Sequence, residues 1–136
     1  MQQLSSILLV DDDLTSNFLN KTLLTRLGVT QQLLFAENGV EALQVLAQTC
    51  TPLGADCPDL ILLDVNMPVM NGIEFLEAYA ELPLAQRRAI VIILLTTSVN
   101  PHDLGRVARL PVAGTLTKPL TEEKVRALLH QYFPAA

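Results

Sequence analysis

The sequence predicts an α/β domain built on a parallel sheet with helices on both faces. Short runs of Ile, Leu and Val alternate strictly with longer amphipathic stretches, five times over. Such runs are continuous in apolar residues rather than alternating with polar ones, as in strands covered on both sides. Several of them stop abruptly on a chemically active side chain: Asp11, Asp64, Thr96 and Lys118. In open sheets of this class, sites form beyond the carboxyl ends of the strands.

Each element follows from its own signals. Ser6–Val10 is the first strand and ends on Asp11, Asp12 and Asp13. Leu14–Leu27 reads as a helix: Leu19, Leu23 and Leu27 recur at four-residue spacing, Phe18 and Leu24 widen the stripe, and Gly28 suits the C-cap. Asn17 reads as an exposed residue of that helix, near its acidic end. Gln32–Ala36 is the second strand, Asn38-Gly39 a turn, and Val40–Thr49 the second helix, with Ala42, Leu43, Leu46 and Ala47 on one face. The third strand runs from Leu60 and ends on Asp64, followed by the breakers Asn66, Pro68, Asn71 and Gly72. Gly72–Leu82 is the third helix, burying Ile73, Leu76 and Ala80 with Tyr79 beside them. Ala89–Leu95 is the fourth strand and meets Thr96, Thr97 and Ser98. Asn100-Pro101 starts a fourth helix that ends near Leu110-Pro111. Ala113–Thr117 is the fifth strand and runs into Lys118-Pro119. Thr121–Phe133 closes the chain as a helix, with Thr121 as cap, Glu122 and Glu123 in its first turn, and Val125, Leu128, Leu129 and Tyr132 buried.

Composition sets bounds. A chain of 136 residues, half of them hydrophobic and 17% charged, suits one compact domain: residues 1–136. The net charge of −5 disfavours a sequence-independent grip on nucleic acid. The longest apolar run, Ala89–Leu95, falls well short of the ~20 residues a membrane span requires. The N-terminus carries no basic leader, which points to the cytoplasm. Cys50 and Cys57 lack the further ligands of a zinc site. They read as a reduced, structurally incidental pair, with a disulfide across the loop as the alternative.

The side chains at the strand ends form a chemical set. Clustered carboxylates raise one another's pKa unless a cation intervenes. Mg²⁺ suits two carboxylates, a backbone carbonyl and waters. One hydroxyl and one ammonium complete the inventory as donors to the oxygens of a transferring phosphoryl group. A carboxylate is itself able to accept that group as an acyl phosphate. Asp64 is the candidate, because an apolar strand precedes it and Met67-Pro68 and Gly72 follow it.

The motifs Leu9-Val10-Asp11-Asp12-Asp13, Leu62-Leu63-Asp64-Val65-Asn66-Met67-Pro68 with Asn71-Gly72, Leu94-Leu95-Thr96-Thr97-Ser98, and Thr117-Lys118-Pro119 occur in order at the ends of the expected strands. Together they resemble the receiver domain of two-component response regulators, over about Ser6 to Phe133, in the stand-alone form of the chemotaxis regulators. The resemblance implies a flavodoxin-like, doubly wound sheet of five parallel strands in order 2-1-3-4-5. It implies Asp64 as phosphoacceptor, with Asp12 binding Mg²⁺ directly, Asp11 directly or through water, and the Asn66 backbone carbonyl as a further ligand. Thr96 would hydrogen-bond the phosphoryl group, with Thr97 filling the small position that follows. Lys118 would pair with another phosphoryl oxygen, its bond to Pro119 often cis. The residues two past the acceptor and two past the threonine, Asn66 and Ser98, tune the phosphoryl lifetime in the family. The donor would be a sensor histidine kinase or a histidine phosphotransfer protein. The output would be a downstream protein bound at the helix 4–strand 5–helix 5 face, by a monomer or weak homodimer acting as a regulator rather than an enzyme. Family members often carry Tyr or Phe three residues before the lysine. Here that position is Thr115, which departs from the usual threonine–aromatic coupling.

Rival readings remain at this point. Asp11-Asp12-Asp13-Leu14-Thr15 also fits the opening motif of haloacid-dehalogenase-type phosphatases, with Asp11 as nucleophile and Asp13 as acid/base. That reading leaves Asp64 without a role and lacks acidic metal ligands on a further strand. A degenerate receiver serving only as an interaction module is opposed by the intact set Asp11, Asp12, Asp64, Thr96 and Lys118. A flavodoxin-like cofactor binder would need a phosphate loop after the first strand. His102 and His130 read as surface or helix-end residues.

Overall fold

The computed structural model describes residues 3–51, 57–83, 89–97 and 105–134. Among them, five strands form one sheet: β1 (Leu4–Val10), β2 (Thr30–Ala36), β3 (Leu60–Asp64), β4 (Val91–Thr96) and β5 (Gly114–Thr117). The order is β2-β1-β3-β4-β5 and every neighbouring pair is parallel. The order reverses between β1 and β3, so the crevice at that switch point opens between the strands that end at Asp11 and Asp64.

The helices are α1 (Leu14–Leu27), α2 (Gly39–Thr49), α3 (Gly72–Ala80), α4, described over 105–107, and α5 (Glu122–Tyr132). The expected start of α4 at Asn100-Pro101, together with Ser98 and His102, lies outside the described residues. The pleat sends successive side chains to opposite faces. Leu8, Val10, Ile61, Leu63, Ile92 and Leu94 therefore meet Ala42 and Leu46 of α2 and Phe75, Leu76 and Tyr79 of α3. Ile7, Leu9, Leu60, Leu62, Ile93 and Leu95 meet Leu24 of α1 and Val125, Leu128 and Leu129 of α5. Helices thus cover both faces, as the continuous apolar runs require.

Helix starts follow local chemistry. Asp13, Asn38, Asn71 and Thr121 each cap a helix by accepting a backbone N–H. Asn71 and Glu74 form a reciprocal capping box. Gly28 ends α1 with a φ of 65°, the left-handed conformation that a residue with a Cβ resists.

Two expectations are overturned. The apolar stripe of α1 faces the core only in part: Leu24 is buried and Leu23 and Leu27 pack against the core, but Phe18 and Leu19 are 66% and 59% exposed, and Asn17 and Asn20 are buried. Both faces have helical period, but the Leu24 face carries two amides that a count of apolar residues ignores. Ala47, expected on the inner face of α2, is likewise exposed. Second, Cys50 and Cys57 are joined in a disulfide, not a reduced pair. Cys50 is the C-cap of α2 and Cys57 lies three residues before β3, and both are buried in the core beneath those elements. The fold brings the two residues together at a Cα–Cα separation of 4.4 Å, which spacing in sequence alone does not reveal.

Candidate functional site

The site sits at the carboxyl edge of the sheet. β1 delivers Asp11, and almost every polar atom of that residue is held. Its N–H donates to the Ala36 carbonyl at the end of β2 (3.0 Å), and its carbonyl accepts from Asn17 Nδ2 (2.8 Å). Its Oδ1 accepts from the Asp13 N–H (2.9 Å), and its Oδ2 accepts from Lys118 Nζ (3.0 Å). Ala36, which carries no chemistry of its own, thus helps fix the acidic turn. Asp12, next in the chain, presents its side chain to solvent.

β3 delivers Asp64, also buried, and Lys118 Nζ lies 3.2 Å from its Oδ1. One ammonium therefore bridges two carboxylates that come from strands on either side of the switch point. Burial, and after it the charge of Asp11, push the Asp64 carboxyl above the ordinary carboxylate value; the attraction of Lys118 opposes this and does not prevail. For Lys118, burial works against the charge. Its hydrogen bond to Asp11 and the attraction of Asp64 outweigh burial and hold the ammonium above its ordinary value.

One carboxylate oxygen from each of Asp11, Asp12 and Asp64 falls within 4.8 Å of the others. Three hard oxygen donors at that spacing, open to solvent on the Asp12 side, fit an octahedral divalent cation such as Mg²⁺, which retains several waters. Asn66 follows two residues after Asp64 in the β3–α3 loop and is exposed.

Thr96 ends β4 and is buried, whereas Thr97 is exposed. That difference favours Thr96 as the hydroxyl of the set. It is paired in register with Thr117, and its carbonyl accepts the Lys118 N–H at 2.8 Å, so β4 and β5 carry hydroxyl and ammonium as a joined unit. The Lys118–Pro119 bond is cis, as the resemblance implies. Lys124 Nζ holds the same corner by donating to the carbonyls of Thr117 (2.6 Å) and Pro119 (3.0 Å).

The β3–α3 loop closes tightly on the acceptor. The Gly72 N–H donates to the Val65 carbonyl (2.9 Å), and a Cβ on Gly72 would collide with the Asp64 carbonyl oxygen. Glycine is required there by close approach rather than by φ. Val69 adopts a φ of 68° and is 80% exposed, and the Met70 N–H reaches back to the Pro68 carbonyl at 2.7 Å, a γ-type turn strained for a β-branched residue.

Asp13 is committed elsewhere. Its Oδ1 accepts the Thr15 N–H and its Oδ2 the Ser16 hydroxyl, each at 3.0 Å. The bond from Ser16 first, then that from Thr15, hold its carboxyl below the ordinary value. An acid so held is a poorer proton donor, which weighs against the acid half of the acid/base role in the phosphatase reading. Asn17 is the residue that sequence reasoning missed. It is buried at the site rather than exposed, and its 17–20–24–27 spacing along α1 is the signal that pointed there.

Comparison with known proteins agrees with this geometry. The family model for the response regulator receiver domain matches residues 7–130. A probable chemotaxis protein CheY of Rhizobium etli is 33% identical over 129 residues, spanning 95% of this chain and 92% of the relative. A two-component response regulator of Arabidopsis thaliana is 32% identical over 124 residues, 91% of this chain and 81% of the relative. Among solved structures, a two-component response regulator from Cytophaga hutchinsonii superposes with a TM-score of 0.85 at 25% identity, covering 98% of this chain and 99% of the other. A phosphorylated cyanobacterial phytochrome response regulator gives 0.77 at 29% identity, covering 97% and 96%. Among the described residues, no helix is long and apolar enough to cross a membrane.

Proposed function

Because the chain belongs to the response regulator receiver domain family, we propose that Asp64 is its phosphoacceptor and that Asp11, Asp12, Thr96 and Lys118 serve that transfer. The family is regulatory, and the reading is of a switch that catalyses its own phosphorylation and dephosphorylation. An Asp64 oxygen attacks the phosphorus of a phosphohistidine, the P–N bond breaks, the imidazole departs with the bonding pair, and an acyl phosphate forms. The Asp11, Asp12 and Asp64 carboxylates and the Asn66 backbone carbonyl would hold Mg²⁺, which would supply charge neutralisation at the phosphoryl oxygens. Lys118 and the Thr96 hydroxyl donate to the remaining oxygens. Charge added at Asp64 draws both inward and shifts the population of an existing conformer of the α4–β5–α5 face, where a downstream protein binds. Residues 1–136 act as one receiver domain in the cytoplasm, with a histidine kinase or phosphotransfer protein as donor.

The observation that carries this reading is the shared ammonium: Lys118 Nζ stands 3.0 Å from Asp11 and 3.2 Å from Asp64. Acetyl phosphate with Mg²⁺ tests it. One acid-stable, base-labile phosphoryl group is expected, abolished by Asp64→Asn. Label that survives Asp64→Asn and is lost in Asp11→Asn overturns the assignment.

A further inference from the structure

We infer that Asn17 is a positioning residue for the acidic turn, setting the direction in which Asp12 presents its carboxylate. The inference rests on reading Asp11 and Asp12 as cation ligands.

Asn17 is 9% exposed, and its Nδ2 donates to the Asp11 carbonyl at 2.8 Å. That carbonyl belongs to the peptide plane joining Asp11 to Asp12. A hydrogen bond to its oxygen restrains rotation of that plane, and so restrains ψ of Asp11 and φ of Asp12 together. The Asp11 side chain is independently held, by the Asp13 N–H on one oxygen and Lys118 on the other. Among the described residues, none holds the exposed Asp12 carboxylate in the same way. Its direction depends on the backbone it grows from, and hence on Asn17.

An amide is a poor choice for this place if packing is its purpose. The same face of α1 carries Leu24 in the core, flanked by the partly buried Leu23 and Leu27. Asn17 Oδ1 is buried and has no hydrogen-bond partner among the described residues. A leucine there would extend the apolar face and leave no orphaned acceptor. The gain from asparagine lies in its donor, and the donor goes to the Asp11 carbonyl. Asn20, equally buried one turn further along the helix, lies on the same face and serves as the internal control.

The test is a Mg²⁺ titration of wild type, Asn17→Leu, Asn17→Ala and Asn20→Leu, followed by amide chemical shifts, with urea unfolding of each in the absence of Mg²⁺. Groups that orient metal ligands typically alter affinity about 10-fold or more when removed. Asn17→Leu is expected to weaken Mg²⁺ binding to that extent while Asn20→Leu stays within about twofold of wild type. The Asp12 and Asp13 amide shifts should move in the Asn17 variant even without Mg²⁺. Asn17→Ala removes the donor without adding bulk, and carries the test if Asn17→Leu does not fold. Asn17→Leu and Asn17→Ala that change only the unfolding midpoint and leave Mg²⁺ affinity unchanged would mark a merely structural amide and overturn the inference. Wild type that fails to bind Mg²⁺ overturns the underlying reading of Asp11 and Asp12 instead, and the two failures are thereby distinct.

Discussion

Reduction of the Cys50–Cys57 disulfide offers a quantitative test of the fold. The bond closes a short loop, with a sequence separation of 7 between the C-cap of α2 and the approach to β3. In the chain-entropy view, a crosslink of that span removes unfolded-state freedom equivalent to about 2.4 kcal/mol at 25 °C. With an unfolding entropy of about 2.1 cal/mol/K per residue, that corresponds to a fall in Tm of roughly 8 °C for a domain of this size. Thermal unfolding with and without dithiothreitol measures it on one sequence, free of packing changes. The double variant Cys50→Ala, Cys57→Ala should show no response to the reductant. Thiol titration of the denatured protein should find none before reduction and two after. Two titratable thiols in the unreduced protein, or an unchanged Tm on reduction, would refute the reasoning. Phosphorylation should survive, because the clip sits at the amino end of β3 and Asp64 at its carboxyl end, about 16 Å of strand away. In a reducing compartment the clip opens, and the domain works at the lower stability.

Three further outcomes follow from the site. Gly72→Ala should destabilise by about 1–2 kcal/mol and slow labelling of Asp64, since its Cβ meets the Asp64 carbonyl oxygen and stands 3.1 Å from Val65 Cα; urea unfolding with acetyl phosphate kinetics checks both, and an unperturbed variant refutes the close approach. Val69→Gly should raise stability by about 0.5–1 kcal/mol, the relief of a left-handed β-branched residue less the added chain entropy of glycine; a lower urea midpoint would contradict it. Asp64→Asn should stabilise the fold at neutral pH. The folded pKa of Asp64 is raised, so below it the native state binds more protons than the unfolded chain, and the contribution of Asp64 worsens as pH rises from the ordinary value of 3.8 through the folded one. The gain from the substitution should therefore be full above that window and shrink as pH falls through it, and a gain that grows on acidification would refute the sign.

Much of the architecture was legible because each level of the sequence agreed with the next. The bounds of α1 at Leu14 and Leu27 follow from the Asp13 cap and the Gly28 terminator, both local. The site was legible for a different reason: a parallel sheet collects the residues that end its strands, so Asp11, Asp64, Thr96 and Lys118 converge without any long-range guess. What resisted reading depends on tertiary contact. The rotation of α1 about its axis is set by which face meets β1 and the acidic turn, and Phe18 and Leu19 mislead because an exposed apolar residue leaves no mark in the sequence. The disulfide depends on where the end of α2 stands relative to the approach to β3. The strain at Val69 is invisible because valine is among the residues least suited to positive φ.

Position 115 carries threonine where family members often carry an aromatic. Thr115 is exposed on β5, so no ring stands there to move when Thr96 moves. An aromatic does lie against the same strand, but it comes from α5: the Tyr132 hydroxyl donates to the Ala113 carbonyl at 3.0 Å, and Gly114 leaves room for it. That anchor ties the ring to the start of β5 rather than to Thr96 at the end of β4. A groove of about 380 Å³ beside Thr115, lined also by Leu116, Leu128 and Tyr132, marks the space on this edge. The connection between hydroxyl and ammonium is instead backbone, through the Thr96–Thr117 pairing and the Lys118 N–H to the Thr96 carbonyl. Thr96 and Lys118 are thus joined through paired backbone rather than through a side chain at position 115. The side chains of the acidic site are all in place, while the aromatic that family members often carry three residues before the lysine is replaced by an exposed threonine.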